Sequence, residues 1–123
     1  MKTSLLGFVV VVGLTVLFAG RISTAQPKVL TLKALDYEFE PKDITLKTGE
    51  VTIVIRNEGK DFHNFFLQAP GDKFLGGIPG GERLVSPGRS AQRAFTLDEP
   101  GEYIFYCGPH RDVGMTGRVV VEK

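Results

Sequence analysis

Four side chains able to bind a soft metal ion stand out because of their types and their spacing. Apart from Met1, the chain contains two histidines, one cysteine and one further methionine, namely His63, His110, Cys107 and Met115. Three of these four fall within nine residues, and the fourth, His63, precedes Cys107 by 44 positions. Two imidazoles and a thiolate, with a thioether as a weak axial contact, are the ligand set of a mononuclear blue-copper site. The inventory predicts one copper ion that alternates between Cu(I) and Cu(II).

The spacing would let these side chains converge on one ion. Two residues separate Cys107 from His110, so a single turn aims both side chains at one point. Gly114 lets the backbone bend, and Met115 then returns toward that point from the start of the next strand. The other histidine comes from a separate strand, which would make the cage partly rigid before the ion arrives.

Short strands are predicted to position these residues. After residue 26 the apolar pattern has a period of two, with β-branched and aromatic residues enriched and Pro or Gly in the gaps. The predicted strands cover 30–34, 37–39, 44–46, 51–56, 63–68, 94–97, 103–107 and 118–121. This regular spacing predicts an all-β fold, an antiparallel Greek-key β-sandwich or barrel of seven to eight strands.

Residues 70–88 interrupt the regular spacing, with six glycines and three prolines in 19 positions. We predict a long connection here, either a functional loop or a surface crossover between the two sheets. No Gly-Lys-Ser/Thr sequence follows the glycines, so they do not predict a phosphate-binding loop.

The N-terminal segment has the pattern of an export signal. Lys2 precedes an apolar run at 5–20, and Ser23 and Ala25 provide small residues before a cleavage position at Gln26. We predict a signal peptide over 1–25 and a single domain over 26–123, with retention of the leader as a membrane anchor as the alternative. Either outcome places the domain in the periplasm or another extracytoplasmic space.

Charge and cysteine content exclude several classes of protein. After residue 25 there are 14 acidic side chains and 13 Lys and Arg, so this part carries a net charge of −1. Such a balance provides no electrostatic surface for nucleic acid. A single cysteine excludes a disulfide framework within the chain, and two histidines exclude a multicopper centre.

Each candidate ligand also has an ordinary explanation. A cysteine at a strand end is most often a small buried apolar residue, and a methionine can fill space in a core. Cys107 with His63 or His110 is a candidate for a nucleophilic enzyme, and the three together are a candidate zinc site, although a thioether is a poor zinc ligand. A copper storage or delivery module would use the same ligands as an electron carrier, and the sequence leaves that alternative open.

The residues around the ligands resemble those of a known family. Segment 101–110, GEYIFYCGPH, followed by MTG at 115–117, resembles the copper-binding loop of the cupredoxin (type 1 blue copper) family. The loop has the length found in plastocyanin and pseudoazurin. The resemblance extends to FHN at 62–64 and, more loosely, over the whole of 26–123.

The resemblance implies a cupredoxin-like sandwich with one copper ion at one end, and an electron carrier rather than an enzyme. It implies His63, Cys107 and His110 as equatorial ligands, Met115 as the axial ligand, and Asn64 as a bridge between the two ligand segments. Redox proteins such as a cytochrome or a membrane electron-transfer complex would be its partners, and we expect a monomer.

The resemblance also makes His110 the electron port, ringed by apolar residues. Gly108 and Pro109 match that ring, and we add three residues of the long connection as further predicted members: Leu75, Ile78 and Pro79. Tyr106 either conducts electrons beside Cys107 or is an ordinary strand aromatic.

The sequence departs from the family pattern in three features, and two further residues have expected roles of their own. Phe62 stands where a proline usually precedes the first histidine, and no compact acidic patch flanks Tyr106. Because the net charge is nearly zero, we expect weak long-range electrostatic steering toward partners and docking through the apolar face. Pro109 has no N–H, which limits the hydrogen bonds that reach the cysteine sulfur and is expected to tune the reduction potential. Tyr103 is expected to be a structural corner tyrosine.

Overall fold

The computed structural model describes residues 12–13, 15, 20 and 28–123. The predicted signal peptide lies outside the described residues except for four positions, and so does the predicted cleavage position before Gln26. In the described part of the chain, no helix is long and apolar enough to cross a membrane.

Nine strands form two sheets. Their bounds are β1 Lys28–Leu35, β2 Glu38–Glu40, β3 Asp43–Lys47, β4 Gly49–Asn57, β5 Phe65–Ala69, β6 Lys73–Ile78, β7 Ser90–Leu97, β8 Gly101–Tyr106 and β9 Thr116–Glu122. One sheet has the order β2-β1-β4-β7 and the other β3-β9-β8-β5-β6. A 3-10 helix at Arg111–Val113 joins β8 to β9. The predicted all-β Greek-key sandwich is confirmed.

The core lies between the two sheets and follows from the period-two pattern. Along β4, Val51 and Ile53 point inward and are buried, and the residues between them are more exposed. Phe39 from the first sheet meets Phe65 and Phe105 from the second. The ring centroids lie 6.0 Å apart in the Phe39–Phe65 pair and 5.3 Å apart in the Phe39–Phe105 pair. These aromatic contacts tie the two sheets together.

Each sheet contains one parallel pair, which the alternation of apolar residues could not predict. β1 pairs with β4 from Lys28 opposite Val51 to Ala34 opposite Asn57, and β3 pairs with β9 in the same direction. Between β1 and β4 the chain crosses to the other sheet and back, so β4 returns parallel to β1. The sandwich is therefore mixed rather than purely antiparallel.

β6 lies within the segment that we predicted as a long connection. Its glycines are part of the strand. A Cβ at Gly77 would lie 2.6 Å from the Phe66 ring, so only glycine lets β6 pair with β5 beneath that ring. The glycine-rich composition indicated a loop, but here glycine provides space for a neighbouring aromatic side chain.

Tyr103 is a corner tyrosine, as predicted. Its hydroxyl donates to the Glu99 carbonyl oxygen over 2.8 Å and accepts the Glu99 backbone N–H over 3.2 Å. The side chain is buried, so these bonds fix the turn before β8.

The strand register brings the candidate ligands to one end of the sandwich. Phe66 in β5 lies opposite Tyr106 in β8, and Tyr106 lies opposite Thr116 in β9. The residues just before β5, just after β8 and just before β9 must therefore be neighbours. These are the positions of His63, Cys107 and Met115.

Candidate metal centre

Three predicted ligand atoms converge at this end of the sandwich. The Cys107 Sγ lies 3.8 Å from His63 Nδ1 and 3.4 Å from His110 Nδ1. The two Nδ1 atoms are 3.1 Å apart. One donor atom from each of the three residues lies within 4.8 Å of the others.

These separations fit donors that share one ion. In a trigonal plane, two nitrogens each about 2.0–2.1 Å from a metal would lie about 3.5 Å apart, and a sulfur at about 2.3 Å would lie about 3.8 Å from each of them. The observed nitrogen–nitrogen separation is 3.1 Å, and the sulfur–nitrogen separations are 3.4 and 3.8 Å. The set is compact enough to hold one small cation and too compact for two.

Both imidazoles direct their other nitrogen at a carboxylate. His63 Nε2 lies 3.1 Å from Asp36 Oδ1, and His110 Nε2 lies 3.3 Å from Asp61 Oδ2. Backbone hydrogen bonds from Asp61 and Lys60 hold the pKa of Asp36 below its ordinary value, so this carboxylate is ionised at neutral pH. A carboxylate accepts from a neutral imidazole, so this pairing favours the tautomer in which the proton of each ring is on Nε2.

The facing Nδ1 atoms of His63 and His110 then present lone pairs to each other and to the Cys107 sulfur. Lone pairs 3.1 Å apart repel unless a cation lies between them. Soft sulfur and neutral imidazole are donors that suit copper in both oxidation states. The donor set therefore fits a single copper ion.

Burial separates the candidate ligands into two groups. Cys107, His63 and Met115 are fully buried, while 13% of the His110 side chain is exposed. Burial raises the pKa of the Cys107 thiol, and the backbone amides of Asn64 and His110 act in the opposite direction. A thiol with a raised pKa and no route to solvent is a poor nucleophile, whereas a metal cation would displace its proton directly.

The loop between β8 and β9 is held by its own backbone. Cys107 N–H donates to the Met115 carbonyl over 3.0 Å, and His110 N–H donates to the Cys107 carbonyl over 3.3 Å. Met115 N–H donates to the His110 carbonyl over 3.2 Å. Gly114 has φ +90°, a left-handed conformation that glycine adopts without strain. The backbone of Met115 is thus in direct contact with both Cys107 and His110.

Asn64 connects the two ligand segments. It is buried, and its Oδ1 accepts the backbone N–H of Gly108 over 2.7 Å. A Cβ at Gly108 would lie 2.8 Å from the Phe66 ring, so the tight approach of this loop to β5 depends on glycine. Pro109 follows at the exposed surface of the turn.

The aromatic surroundings differ between the two predicted electron routes. Tyr106 is half-buried between Phe66, whose ring centroid is 5.5 Å away, and Arg111, whose guanidinium carbon lies 4.2 Å from the Tyr106 ring centroid. The His110 ring meets Tyr37 edge to face at 4.9 Å. Arg111 therefore stacks on Tyr106, which is one candidate electron route, and Tyr37 packs against His110, which is the other.

The structure contradicts one predicted member of the apolar ring around His110. Ile78 is fully buried in β6 and is not available at the surface, and Leu75 lines a small pocket with Tyr103 and Asp98. Pro79 is half-buried. The exposed aromatic side chain in contact with His110 is Tyr37.

Sequence reasoning missed three residues of this centre: Asp36, Tyr37 and Asp61. Asp36 and Tyr37 lie in the turn between β1 and β2, which contains none of the candidate ligands. A period-two pattern ending at a charged residue indicates a turn, but it does not reveal which loop that turn meets. Asp61 carried a weak signal, since it stands two residues before a candidate ligand.

The comparisons with known proteins agree with this geometry. Residues 28–122 match the family described as copper binding proteins, plastocyanin/azurin family. A chloroplastic plastocyanin of Oryza sativa subsp. indica is 40% identical over 86 residues, which are 68% of this chain and 54% of the rice protein. The chain thus spans about half the length of that relative. Plastocyanin of Prochlorothrix hollandica is 30% identical over 124 residues, covering 94% of this chain and 92% of that protein.

A solved structure supports the fold. Reduced auracyanin from Roseiflexus castenholzii superposes with a TM-score of 0.67 at 19% identity, covering 78% of this chain and 98% of that chain. The fold, the converging donor atoms and the family match over 28–122 lead to one conclusion. The chain belongs to the plastocyanin/azurin family of copper-binding proteins.

Proposed function

We propose that this protein is a mononuclear type 1 copper protein that carries single electrons between redox partners, and is not an enzyme. The observation that supports this most directly is the convergence of His63 Nδ1, Cys107 Sγ and His110 Nδ1 within 3.1 to 3.8 Å. Bound copper supplies the one-electron chemistry. The chain supplies the donor atoms and holds them in place.

In this proposal the four side chains have separate roles. His63, Cys107 and His110 hold the ion in a plane, and Met115 is the weak axial contact. Asn64 fixes the spacing of the two ligand segments through its bond to Gly108. A site fixed by backbone bonds and burial reorganises little when the charge of the ion changes, which favours fast electron transfer.

Electrons would enter and leave through His110, the only partly exposed member of the four. Tyr106 is the second candidate route, because it is joined covalently to Cys107. Pro109 shapes the turn between Cys107 and His110 and contributes no N–H that could reach the sulfur.

A copper storage or delivery module is the alternative function. It would need a labile ion, whereas three of the four proposed ligands are fully buried. Burial of Cys107 also argues against a nucleophilic enzyme, since no substrate could reach the sulfur.

We further propose that residues 26–123 are one exported domain, monomeric and located in the periplasm or another extracytoplasmic space. Its partners would be redox proteins such as a cytochrome or a membrane electron-transfer complex. The net charge of −1 after residue 25 favours docking through apolar contacts rather than long-range steering.

One visible spectrum tests the proposal. The purified protein is titrated with Cu(II), reduced with ascorbate and reoxidised. We expect an intense thiolate-to-copper band that appears, bleaches and returns, with copper retained against a chelator through repeated cycles. Cys107→Ser should have no such band, because a hydroxyl cannot replace the thiolate. An unchanged spectrum in Cys107→Ser would exclude Cys107 as a ligand, and loss of copper during cycling would favour delivery.

A further inference from the structure

The two carboxylates that face the ligand imidazoles have a role of their own. We propose that Asp36 and Asp61 are positioning residues that orient His63 and His110 through their Nε2–H groups and lower the reduction potential of the site. This inference rests on the proposed function, because it concerns the same copper site. Neither carboxylate was among the residues that the sequence suggested.

Each of the two carboxylates contacts the Nε2 atom of one imidazole. Asp36 Oδ1 lies 3.1 Å from His63 Nε2, and Asp61 Oδ2 lies 3.3 Å from His110 Nε2. In both rings the opposite nitrogen, Nδ1, faces the cysteine sulfur. A carboxylate that accepts Nε2–H fixes the tautomer and the ring orientation and makes Nδ1 a stronger donor.

Asp36 is itself held in place by the loop that carries His63. Its Oδ1 accepts the backbone N–H groups of Lys60 and Asp61 over 2.9 and 3.0 Å, and its Oδ2 lies 2.9 Å from the Lys60 nitrogen. A Cβ at Gly59 would collide with this carboxylate. Asp36 therefore ties the β1–β2 turn to the β4–β5 loop and has little freedom to leave His63.

The turn that carries Asp36 has an unusual backbone. Tyr37 has φ +70°, a left-handed conformation that is uncommon for residues other than glycine. In this conformation Asp36 meets His63, and the Tyr37 ring packs on His110. Backbone strain of this kind persists where the surrounding contacts require it and is typical of functional sites.

The two pairs should differ in strength. His63 is fully buried, and 33% of the Asp36 side chain is exposed. His110 is partly exposed, and 45% of the Asp61 side chain is exposed. Water screens the second pair more, so Asp36 should have the larger effect on the potential.

The test compares wild type with Asp36→Asn and Asp61→Asn, each loaded with copper and followed by spectroelectrochemistry. Asparagine keeps an acceptor for the same N–H groups and removes the charge. Mutation of a residue that hydrogen-bonds a metal-binding histidine typically weakens metal binding by about 10- to 100-fold. If only Cu(II) binding weakens, the potential rises by about 59 to 118 mV in Asp36→Asn, because tenfold corresponds to 59 mV for one electron. Asp61→Asn should shift it upward by less.

Asp112→Asn is the matched control. It removes one carboxylate two residues after His110, and among the described residues Asp112 makes no hydrogen bond to either imidazole. Its potential should stay near that of wild type. Equal potentials in Asp36→Asn and Asp112→Asn, or a lower potential in Asp36→Asn, would overturn the proposal.

A measurement on the copper-free protein, the tautomer of His63, tests this inference independently of the proposed function. In the reduced apoprotein labelled with nitrogen-15, we expect His63 to carry its proton on Nε2 in wild type and to populate both tautomers in Asp36→Asn. Protonation of His63 on Nδ1 in wild type would contradict the pairing. If wild type instead gave no visible copper band while the tautomer result held, the proposed function would fail and the carboxylate–imidazole pairing would stand.

Discussion

Cys107 and Met115 are joined by a backbone hydrogen bond, in which the Cys107 N–H donates to the Met115 carbonyl over 3.0 Å. This bond closes the loop that carries three of the four proposed ligands. Because it links main-chain atoms, it does not depend on the side chains that would hold the ion.

The loop should therefore keep its shape after copper is removed. In the copper-free protein we expect the amide hydrogens of Cys107 and Met115 to exchange roughly tenfold or more slowly than that of the exposed residue Glu82. Hydrogen exchange followed by NMR measures this. Exchange as fast as that of Glu82 would mean that the ion, and not the backbone, holds the loop.

Replacing Met115 by glutamine should lower the reduction potential while copper stays bound. An amide oxygen is a harder donor than a thioether and stabilises Cu(II) relative to Cu(I). We expect a fall of at least about 59 mV, a tenfold change in the ratio of the two affinities. The direction is opposite to that expected for Asp36→Asn. A potential equal to that of wild type would show that Met115 is not the axial ligand.

His110→Gly should lose the visible copper band and regain it when imidazole is added. The reason is that 13% of the His110 side chain is exposed, so the vacated space is open to solvent. His63→Gly is the control, since His63 is fully buried and added imidazole should restore little. Titration of both copper-loaded variants with imidazole provides the comparison. Equal rescue of both, or of neither, would contradict a surface-facing His110.

Tyr103→Phe should destabilise the fold without changing the copper spectrum. It leaves the Glu99 N–H and carbonyl without the hydroxyl that bonds both, at a cost of about 1–3 kcal/mol in the free energy of unfolding. Urea denaturation of the apoprotein measures this. Tyr37→Phe, in a half-exposed side chain, is the matched control and should change stability by less than about 0.5 kcal/mol. Equal stability of the two variants would show that the Tyr103 hydroxyl does not stabilise the turn before β8.

The candidate ligands could be singled out from the sequence because each is a rare residue type and three of them stand close to strand ends. His63, Cys107 and Met115 could be placed on strand ends from the period-two pattern alone, and the family resemblance supplied their roles. The strand count was less accurate. Glycines at 76 and 77 indicated a loop, whereas both lie in β6, where Gly77 leaves room for the Phe66 ring and Gly76 leaves room for the Arg93 guanidinium.

The partners of the imidazoles could not be predicted in this way. Asp36 reaches His63 across 27 positions, and that contact depends on how a turn of one sheet approaches a loop beside the other. A lone aspartate at a turn has many roles, and alternation of apolar residues does not distinguish them. The same limit applies to the parallel pairing of β1 with β4, because alternation does not encode strand direction.

The register of β5, β8 and β9 has a consequence for how this protein could change over time. The positions of His63, Cys107 and Met115 are set by the pairing of β5, β8 and β9 within one sheet. A one-residue slip in this register would turn inward-facing side chains outward and separate the proposed ligands. Strand register does not fix the length of the segment joining Cys107 to Met115, because the β8–β9 ladder ends at Tyr106 and Thr116. Variation in that segment would alter the properties of the ion while leaving the scaffold intact.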